Sequence, residues 1–254
     1  MSLALDHVVI AVADLAATIE DYRRLGFTVQ VGGDHPGRTS HNALVVFEDG
    51  SYLELIAWRA PAPQERWYVH HQTHGDGFVD FALLPDDVGA RVASAKSRGL
   101  VLTGPIDGGR VRPDGLVLKW QTARPATQDL PFLCGDVTPR AGRVPEGACR
   151  QHANGALGIS RVTLAVRDLA ASASRYRALL GDAAVAAEAA EPAGRYAEVA
   201  LLGCTVRLVA GEPGGQPLGA QGEGLRAVAF RCAPGASPGF DRALSHGAAF
   251  SLEG

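Results

Sequence analysis

The order of apolar and polar residues predicts that strands and a helix alternate from the start of the chain. Residues 4–12 are apolar and β-branched, as strands prefer. Asp14 can accept backbone N–H groups of a following helix, whose apolar residues recur at helical spacing until Gly26 provides a left-handed stop. Three more strands are predicted over residues 28–31, 42–47 and 52–57. Turn residues 48–51 join the last two as a hairpin, so the predicted unit is βαβββ.

The same order of elements is predicted again between residues 78 and 134. A strand over residues 78–84 is followed by a helix that Asp86 or Asp87 can cap and that ends near Gly99. Further strands are predicted over residues 100–103, 116–122 and 131–134. A segment rich in glycine, proline and arginine follows, and this composition is typical of a linker.

An internal repeat organises the remainder of the chain. Residues 5–17 reappear as residues 159–171, an offset of 154 that also places Tyr22 on Tyr176. A match of this length predicts duplication of a structural unit. The third unit covers about residues 159–210, and a fourth begins with a strand and a helix at Leu225 but ends before its three remaining strands.

The predicted class is therefore α+β, with tandem βαβββ units of which the last is truncated. We expect a first domain over residues 1–140, a linker over residues 141–157 and a second, incomplete half over residues 158–254.

Composition and charge narrow the function classes. Hydrophobic residues make up 46% of the chain and charged residues 20%, which is ordinary for a soluble globular protein. The net charge of -3 and the scattered basic residues argue against nucleic acid or a membrane surface as a partner. No run of apolar residues reaches the ~18 that a membrane span needs. The apolar residues at the start of the sequence lack the preceding basic segment of a signal peptide. The four cysteines lack a C-x-x-C pair, so we expect reduced thiols and a cytoplasmic protein.

Several stretches resemble one family. The first is Leu5-Asp-His-Val-Val-Ile-Ala-Val, and the others are residues 38–44, 52–56, 112–120, 130–132 and 152–159. In these stretches the chain resembles the glyoxalase-like domain branch of the vicinal-oxygen-chelate superfamily, which includes glyoxalases, bleomycin resistance proteins and extradiol dioxygenases. The resemblance implies paired βαβββ units that curl into a half-open sheet, a small-molecule substrate and, as is common in the superfamily, a homodimer.

The resemblance also implies a divalent metal site, for Zn, Mn, Fe or Ni, inside this sheet. Ligands in metal-dependent relatives come from the first and last strands of a unit, and here those positions hold His7 and Glu54. Strand alternation is compatible with both side chains facing inward. Aligning the second unit on the first makes Asp80 a third expected ligand.

Other interpretations of these residues remain open. His7 can be a hydrogen-bonded histidine of a strand, and Glu54 can form an ion pair with Arg38 or Arg59. His41, whose ordinary pKa lies near neutrality, is a candidate acid or base, but it can equally be a polar residue at a strand start. Glu54 is itself an alternative catalytic base.

The repeat confines this chemistry to the first half. His7 aligns with Arg161 and Glu54 with Arg207. Arginine stays protonated and does not bind cations, so no equivalent metal site is expected in the second half. We expect that half to be scaffolding or a dimer contact.

Three functions are considered on this basis. The leading one is a glyoxalase-like enzyme, a lyase or isomerase that acts on a substrate with adjacent oxygens and that can use a divalent metal. The alternative is a metal-free protein that sequesters a small molecule in the same fold. A ring-cleaving dioxygenase is disfavoured, since its site would more often lie in the second half.

Overall fold

The computed structural model describes residues 3–112, 114–192, 194–236 and 239–253, so residues 1–2 and 254 of the predicted domains lie outside it. The first eight strands are β1 (Ala4–Ala11), β2 (Gln30–Asp34), β3 (Ser40–Val46), β4 (Tyr52–Trp58), β5 (Gly77–Leu84), β6 (Thr103–Val111), β7 (Val117–Arg124) and β8 (Phe132–Asp136). The helices among them are α1 (Leu15–Arg24), α2 (Arg66–His74) and α3 (Val88–Ser97).

The connecting segment and the second half follow. The segment holds the short helix α4 (Arg140–Arg143) and a 3-10 turn (Gly147–Arg150). The later elements are β9 (Ala156–Val166), α5 (Leu169–Leu180), a 3-10 turn (Asp182–Ala184), β10 (Ala189–Glu191), β11 (Gly194–Ala200), β12 (Thr205–Ala210), β13 (Gly224–Cys232) and β14 (Ala249–Glu253). The α+β class predicted from the sequence is confirmed. None of the helices within the described ranges is long and apolar enough to span a bilayer.

The first eight strands form a barrel in the order β1-β4-β3-β2-β6-β7-β8-β5. Strands β1 and β5 join the two groups of four along an antiparallel ladder. On the opposite side, β2 and β6 pair through Asp34 and Val111, which closes the ring. We expected a half-open sheet, but the sheet of the first half is a closed barrel. A single residue pair, Asp34 with Val111, closes it.

The two copies of the repeated sequence fold alike at their start. Asp14 and Asp168 both cap a helix, with a carboxylate oxygen 3.0 Å from the backbone N of the residue three positions later. In the parallel ladder of β1 and β4, His7 lies opposite Tyr52, and the equivalent ladder of β9 and β12 places Arg161 opposite Thr205. The alignment of His7 with Arg161 therefore holds in three dimensions.

The second half is a six-stranded sheet in the order β10-β11-β12-β9-β13-β14. We predicted a helix after β13, and this prediction is wrong for the described residues, because residues 242–247 form turns and β14 begins at Ala249. Strand β14 pairs with β13 in parallel, as β4 pairs with β1.

One apolar core joins the two halves. The outer faces of the barrel strands, the helices that cover them and the inner face of the second sheet form a single buried cluster. Aromatic rings cross the boundary: Phe27 of the first half packs against Phe230, Phe240 and Phe250 of the second, at ring-centroid distances of 5.6, 5.9 and 6.2 Å. The barrel interior is therefore separate from the main core and free to hold polar side chains.

Candidate functional site

The interior of the barrel is a cavity of about 900 Å³, including its solvent-filled mouth. Alternate residues of the strands point into it, as the pleat requires. Its apolar wall includes Leu44, Ile56, Trp67, Trp120 and Phe132. Its charged and titratable members are His7, His35, Arg38, Glu54, Glu65, Asp107, Arg110, Arg124, Cys134 and Arg143.

Glu54 lies at the centre of a polar group on β1, β3 and β4. Its Oε1 accepts a hydrogen bond from Asn42 Nδ2 at 2.6 Å, and its Oε2 lies 3.5 Å from His7 Nε2. Both Glu54 and His7 are buried. The structure thus brings together the two expected ligands that the sequence placed on the first and last strands of the first unit.

His7 is oriented by the neighbouring carboxylate. Its Nδ1 lies 2.7 Å from an oxygen of Asp6, which is fully buried. Asp6 is ion-paired with Arg140 and Arg143, so it is ionised and its oxygen accepts the Nδ1 proton. With the proton on Nδ1, the nitrogen left to face Glu54 is Nε2, and this is the atom that could bind a metal.

The pKa of Asp6 follows from the same contacts. Burial by itself raises the pKa of the Asp6 carboxyl, but the guanidinium of Arg143 and the hydrogen bond from His7 more than offset this effect. The pKa therefore lies well below its ordinary value. Arg143 lies in the segment that we expected to be a linker, yet its side chain lines the floor of the cavity.

We expect the stability that Asp6 contributes to be lost in acid. A carboxyl whose pKa is lowered on folding stabilises the folded state above its unfolded-state pKa of ~3.9, and this contribution disappears as the pH falls through the folded-state pKa. Urea unfolding of the wild-type protein and of Asp6→Asn between pH 7 and pH 2 measures the effect. The difference in unfolding free energy should be largest at pH 7 and shrink in acid, whereas a constant difference would contradict this assignment.

His35 is a site residue that the sequence analysis missed. It follows β2, and its Nε2 lies 3.7 Å from Glu54 Oε1, while its Nδ1 lies 3.1 Å from the Ser40 hydroxyl. Burial lowers the pKa of His35, with Glu54 opposing and Arg110 adding to the shift. The imidazole is accordingly neutral near pH 7 and is able to bind a metal.

His41 and Asp80 are not placed with this group. His41 lies on the other face of β3 from Asn42, near Arg59 and Asp34, and it is outside the cavity lining. Asp80 accepts hydrogen bonds from Arg66 and from Trp67 Nε1, so its carboxylate fastens α2 beside the cavity mouth. Neither is hydrogen-bonded or ion-paired with Glu54, so the structure does not bring these two residues to His7 and Glu54.

A divalent ion fits part of this arrangement. Among the described residues, one set of three potential ligand atoms lies within 4.8 Å of one another, and it belongs to Asp6, His7 and Cys134. Asp6 is already held by two arginines, and burial raises the pKa of the Cys134 thiol far above its ordinary value, so this set is a poor one. A set with more usual ligand types is His7, Glu54 and His35, two imidazoles on either side of one carboxylate.

Two distances in that second set can be compared with those of a metal site. Ligand atoms about 2.0–2.2 Å from a tetrahedral first-row ion lie roughly 3.3–3.5 Å from each other. His7 Nε2 lies 3.5 Å from Glu54 Oε2 and His35 Nε2 lies 3.7 Å from Glu54 Oε1, so the two imidazoles approach different oxygens of one carboxylate. The ligand atoms of these three residues are not all within 4.8 Å of one another, so the side chains would have to move closer together to share one ion.

The second half lacks these groups at the equivalent place. Arg207 stacks on Tyr196, with its guanidinium carbon 3.8 Å from the ring centroid, and forms an ion pair with Glu191 at 2.5 Å. Arg161 occupies the position of His7 in the ladder. In the described part of the second half, arginines therefore stand at the positions that His7 and Glu54 occupy in the barrel.

Sequence comparison agrees with the geometry. Residues 5–180, which include the whole barrel, the connecting segment and α5, match the glyoxalase-like domain family. The chain belongs to this family. It is thus a glyoxalase-like protein of the vicinal-oxygen-chelate superfamily, as its sequence stretches indicated. No curated protein sequence matches it.

Solved structures similar to this glyoxalase-like protein show the same fold at low identity. A hypothetical protein from Staphylococcus aureus has a TM-score of 0.73 and 17% identity, and 99% of each chain is covered. A mutant of 4-hydroxymandelate synthase from Streptomyces coelicolor has a TM-score of 0.59 and 18% identity, covering 91% of this chain and 71% of that one. A xylose isomerase-like TIM barrel/4-hydroxyphenylpyruvate dioxygenase fusion protein has a TM-score of 0.58 and 15% identity, covering 91% and 37%.

Proposed function

We propose that this protein is a metal-dependent enzyme of the lyase or isomerase type that acts in the barrel cavity on a small molecule with adjacent oxygens. The observation that carries this proposal is the arrangement of His7 and His35 on either side of Glu54 inside an enclosed cavity. A buried carboxylate beside two imidazoles is typical of sites for divalent first-row metals.

Each residue has a defined part in this proposal. His7, Glu54 and His35 would hold the ion, and Asp6 keeps His7 in the tautomer with a free Nε2. When bound, the ion would polarise a substrate carbonyl and stabilise negative charge on its oxygen. Asn42 fixes the Glu54 carboxylate through its Oε1, which leaves Oε2 on the side of His7. The aromatic wall of Trp67, Trp120 and Phe132 excludes water from a bound substrate.

The second half is proposed to be a scaffold. In this view the chain consists of tandem βαβββ units, and those of the second half stabilise the barrel through the common core. They would contribute no ligand to the ion.

A metal-free binding protein is the competing function, and one observation favours it. The 2.6 Å hydrogen bond from Asn42 already satisfies one oxygen of Glu54 without any ion. The same cavity would then bind an organic ligand through its aromatic wall and a few polar groups.

Metal analysis separates the two functions. After reloading with Zn²⁺, Mn²⁺, Fe²⁺ or Ni²⁺ and desalting, we expect the purified protein to retain about one ion per chain. The double variant His7→Ala/Glu54→Ala should retain none. His41→Ala is the matched control, because it removes an imidazole from the same sheet outside the cavity, and it should retain the wild-type amount. A wild-type protein that keeps no ion would contradict the proposal and support the metal-free function.

A further inference from the structure

The cavity contains a buried guanidinium for which the described residues provide no carboxylate partner. Arg110 of β6 is only 3% exposed and lines the cavity. Within the described residues, no carboxylate oxygen lies within the 4.0 Å of an ion pair with it. A buried charge without a partner is costly, because the protein interior solvates it poorly compared with water.

The hydrogen bonds that Arg110 makes leave much of its capacity unused. Its Nη1 donates to Asn42 Oδ1 at 3.4 Å, and its Nη2 donates to the carbonyl oxygen of Arg143 at 3.3 Å. Both are long, and a guanidinium has five N–H donors. Burial lowers the pKa of Arg110, while Tyr52 and Glu54 oppose the shift from a distance.

The backbone around Arg110 leaves room for this guanidinium. A Cβ on Gly32 would lie 2.5 Å from Arg110 Nη1 and 2.0 Å from Asn42 Oδ1, so residue 32 cannot carry a side chain while these two groups stay in place. Asn42 then links Arg110 to Glu54, since its amide accepts from one and donates to the other. Arg110 is thereby held beside the proposed metal ligands.

A second guanidinium without a carboxylate partner lies toward the cavity mouth. Arg124 of β7 is placed over the ring of Trp67, with its guanidinium carbon 5.3 Å from the centroid. In the described part of the chain no carboxylate lies within ion-pair distance of it, and its Nε is buried without a hydrogen bond. Two uncompensated cations in one cavity favour a negatively charged ligand.

We propose that the substrate of this cavity is an organic carboxylate whose anionic group binds Arg110, while its apolar body lies along the aromatic wall. This inference deepens the proposed function, and it rests on that function only in taking the barrel cavity as the substrate site. A carboxylate matches the planar fork of a guanidinium with two parallel hydrogen bonds, and its single charge suits a cavity that also contains Glu54. Arg124 would attract the anion at the entrance.

Benzoate and benzamide are suitable probes, because they have the same size and shape and differ in charge. Trp67 and Trp120 line the cavity, so ligand binding can be followed by tryptophan fluorescence in protein stripped of metal by a chelator. The wild-type protein should bind benzoate at least about tenfold more tightly than benzamide. Arg110→Gln should weaken benzoate binding by about 10- to 100-fold and change benzamide binding less than about threefold.

Two further variants keep the test decisive. Arg110→Lys retains a cation without the fork and should bind benzoate with intermediate affinity, even if Arg110→Gln fails to fold. Arg59→Gln is the matched control, since Arg59 is an exposed barrel arginine paired with Asp34 at 2.9 Å, and it should bind benzoate like the wild type. The melting temperature of Arg110→Gln should equal or exceed that of the wild type, because the variant removes an uncompensated buried charge.

Equal binding of benzoate and benzamide by the wild type, or unchanged benzoate binding by Arg110→Gln, would overturn this inference. Metal retention, measured on the same preparations, separates it from the proposed function. Protein that retains metal but shows no Arg110-dependent benzoate binding contradicts only the substrate class. Protein that binds benzoate through Arg110 but retains no metal contradicts only the metal-dependent function.

Discussion

Replacing Arg143 by alanine is expected to lower the free energy of unfolding by about 3–5 kcal/mol. The Arg143 side chain is 4% exposed, and its guanidinium binds Asp6 at 2.8 Å, Asp136 at 2.5 Å and the Tyr52 hydroxyl at 2.7 Å. Without Arg143, the fully buried carboxylate of Asp6 keeps one guanidinium partner, the partly exposed Arg140. Urea unfolding at pH 7, followed by circular dichroism, measures the loss.

The control for this variant is Arg23→Ala. Arg23 pairs with Glu20 on the surface of α1, where both side chains are about half exposed or more, so its loss should change the unfolding free energy by less than about 1 kcal/mol. Equal losses in the two variants would show that the buried network beneath the cavity is no more stabilising than a surface ion pair.

Replacing Glu54 by glutamine is expected to reduce divalent-metal affinity by at least about 100-fold. The change removes a charged ligand while it keeps the size of the side chain and an oxygen that can accept from Asn42. Titration with Zn²⁺ or Mn²⁺ by isothermal calorimetry measures this loss, and the melting temperature of the metal-free variant shows whether the fold is kept.

Glu65→Gln tests whether this loss is specific to position 54. Glu65 also lines the cavity, but its carboxylate accepts from Trp58 Nε1 at 3.0 Å and lies 3.6 Å from Arg38 at the mouth. Its replacement should leave metal affinity within about threefold of the wild type. If the two variants bind metal equally well, then the carboxylate between His7 and His35 is not a ligand.

Much of the fold could be predicted from local signals. The strand at residues 4–12 corresponds to β1, the Asp14 cap is confirmed, and the hairpin of β3 and β4 lies where residues 48–51 indicated a turn. Each of these depends on a few adjacent residues, whose preferences tertiary contacts did not override. His7 and Glu54 could be located because the family resemblance implies ligands on the first and last strands of a unit, and these strands, β1 and β4, are parallel neighbours.

The exchange of His41 for His35 shows where such local signals fail. Residues 42–47 are all apolar apart from Asn42, so the sequence does not show which face of β3 is inward. In the barrel Ser40, Asn42 and Leu44 face the cavity, and the odd-numbered positions face the helices. His35 lies beyond the predicted end of β2, and no periodicity marks it.

Arg110 and Arg143 could not be predicted for a different reason. Their importance comes from contacts between residues far apart in the sequence, such as those of Arg143 with Asp6 and Tyr52. The segment that contains Arg143 has the composition of a linker, and only its return beneath the barrel makes it part of the cavity. Sequence patterns do not encode that path.

The aromatic contacts that join the halves also affect how this chain can evolve. Because Phe27 packs against Phe230, Phe240 and Phe250, a change of side-chain volume in the second half is felt in the core that supports the barrel. The second half carries arginines at the positions of His7 and Glu54, yet it shares the core of the first half. Substitutions in the second half would then alter the shape of the cavity without contacting it. A screen for lost ligand binding would therefore find variants far from the ligand.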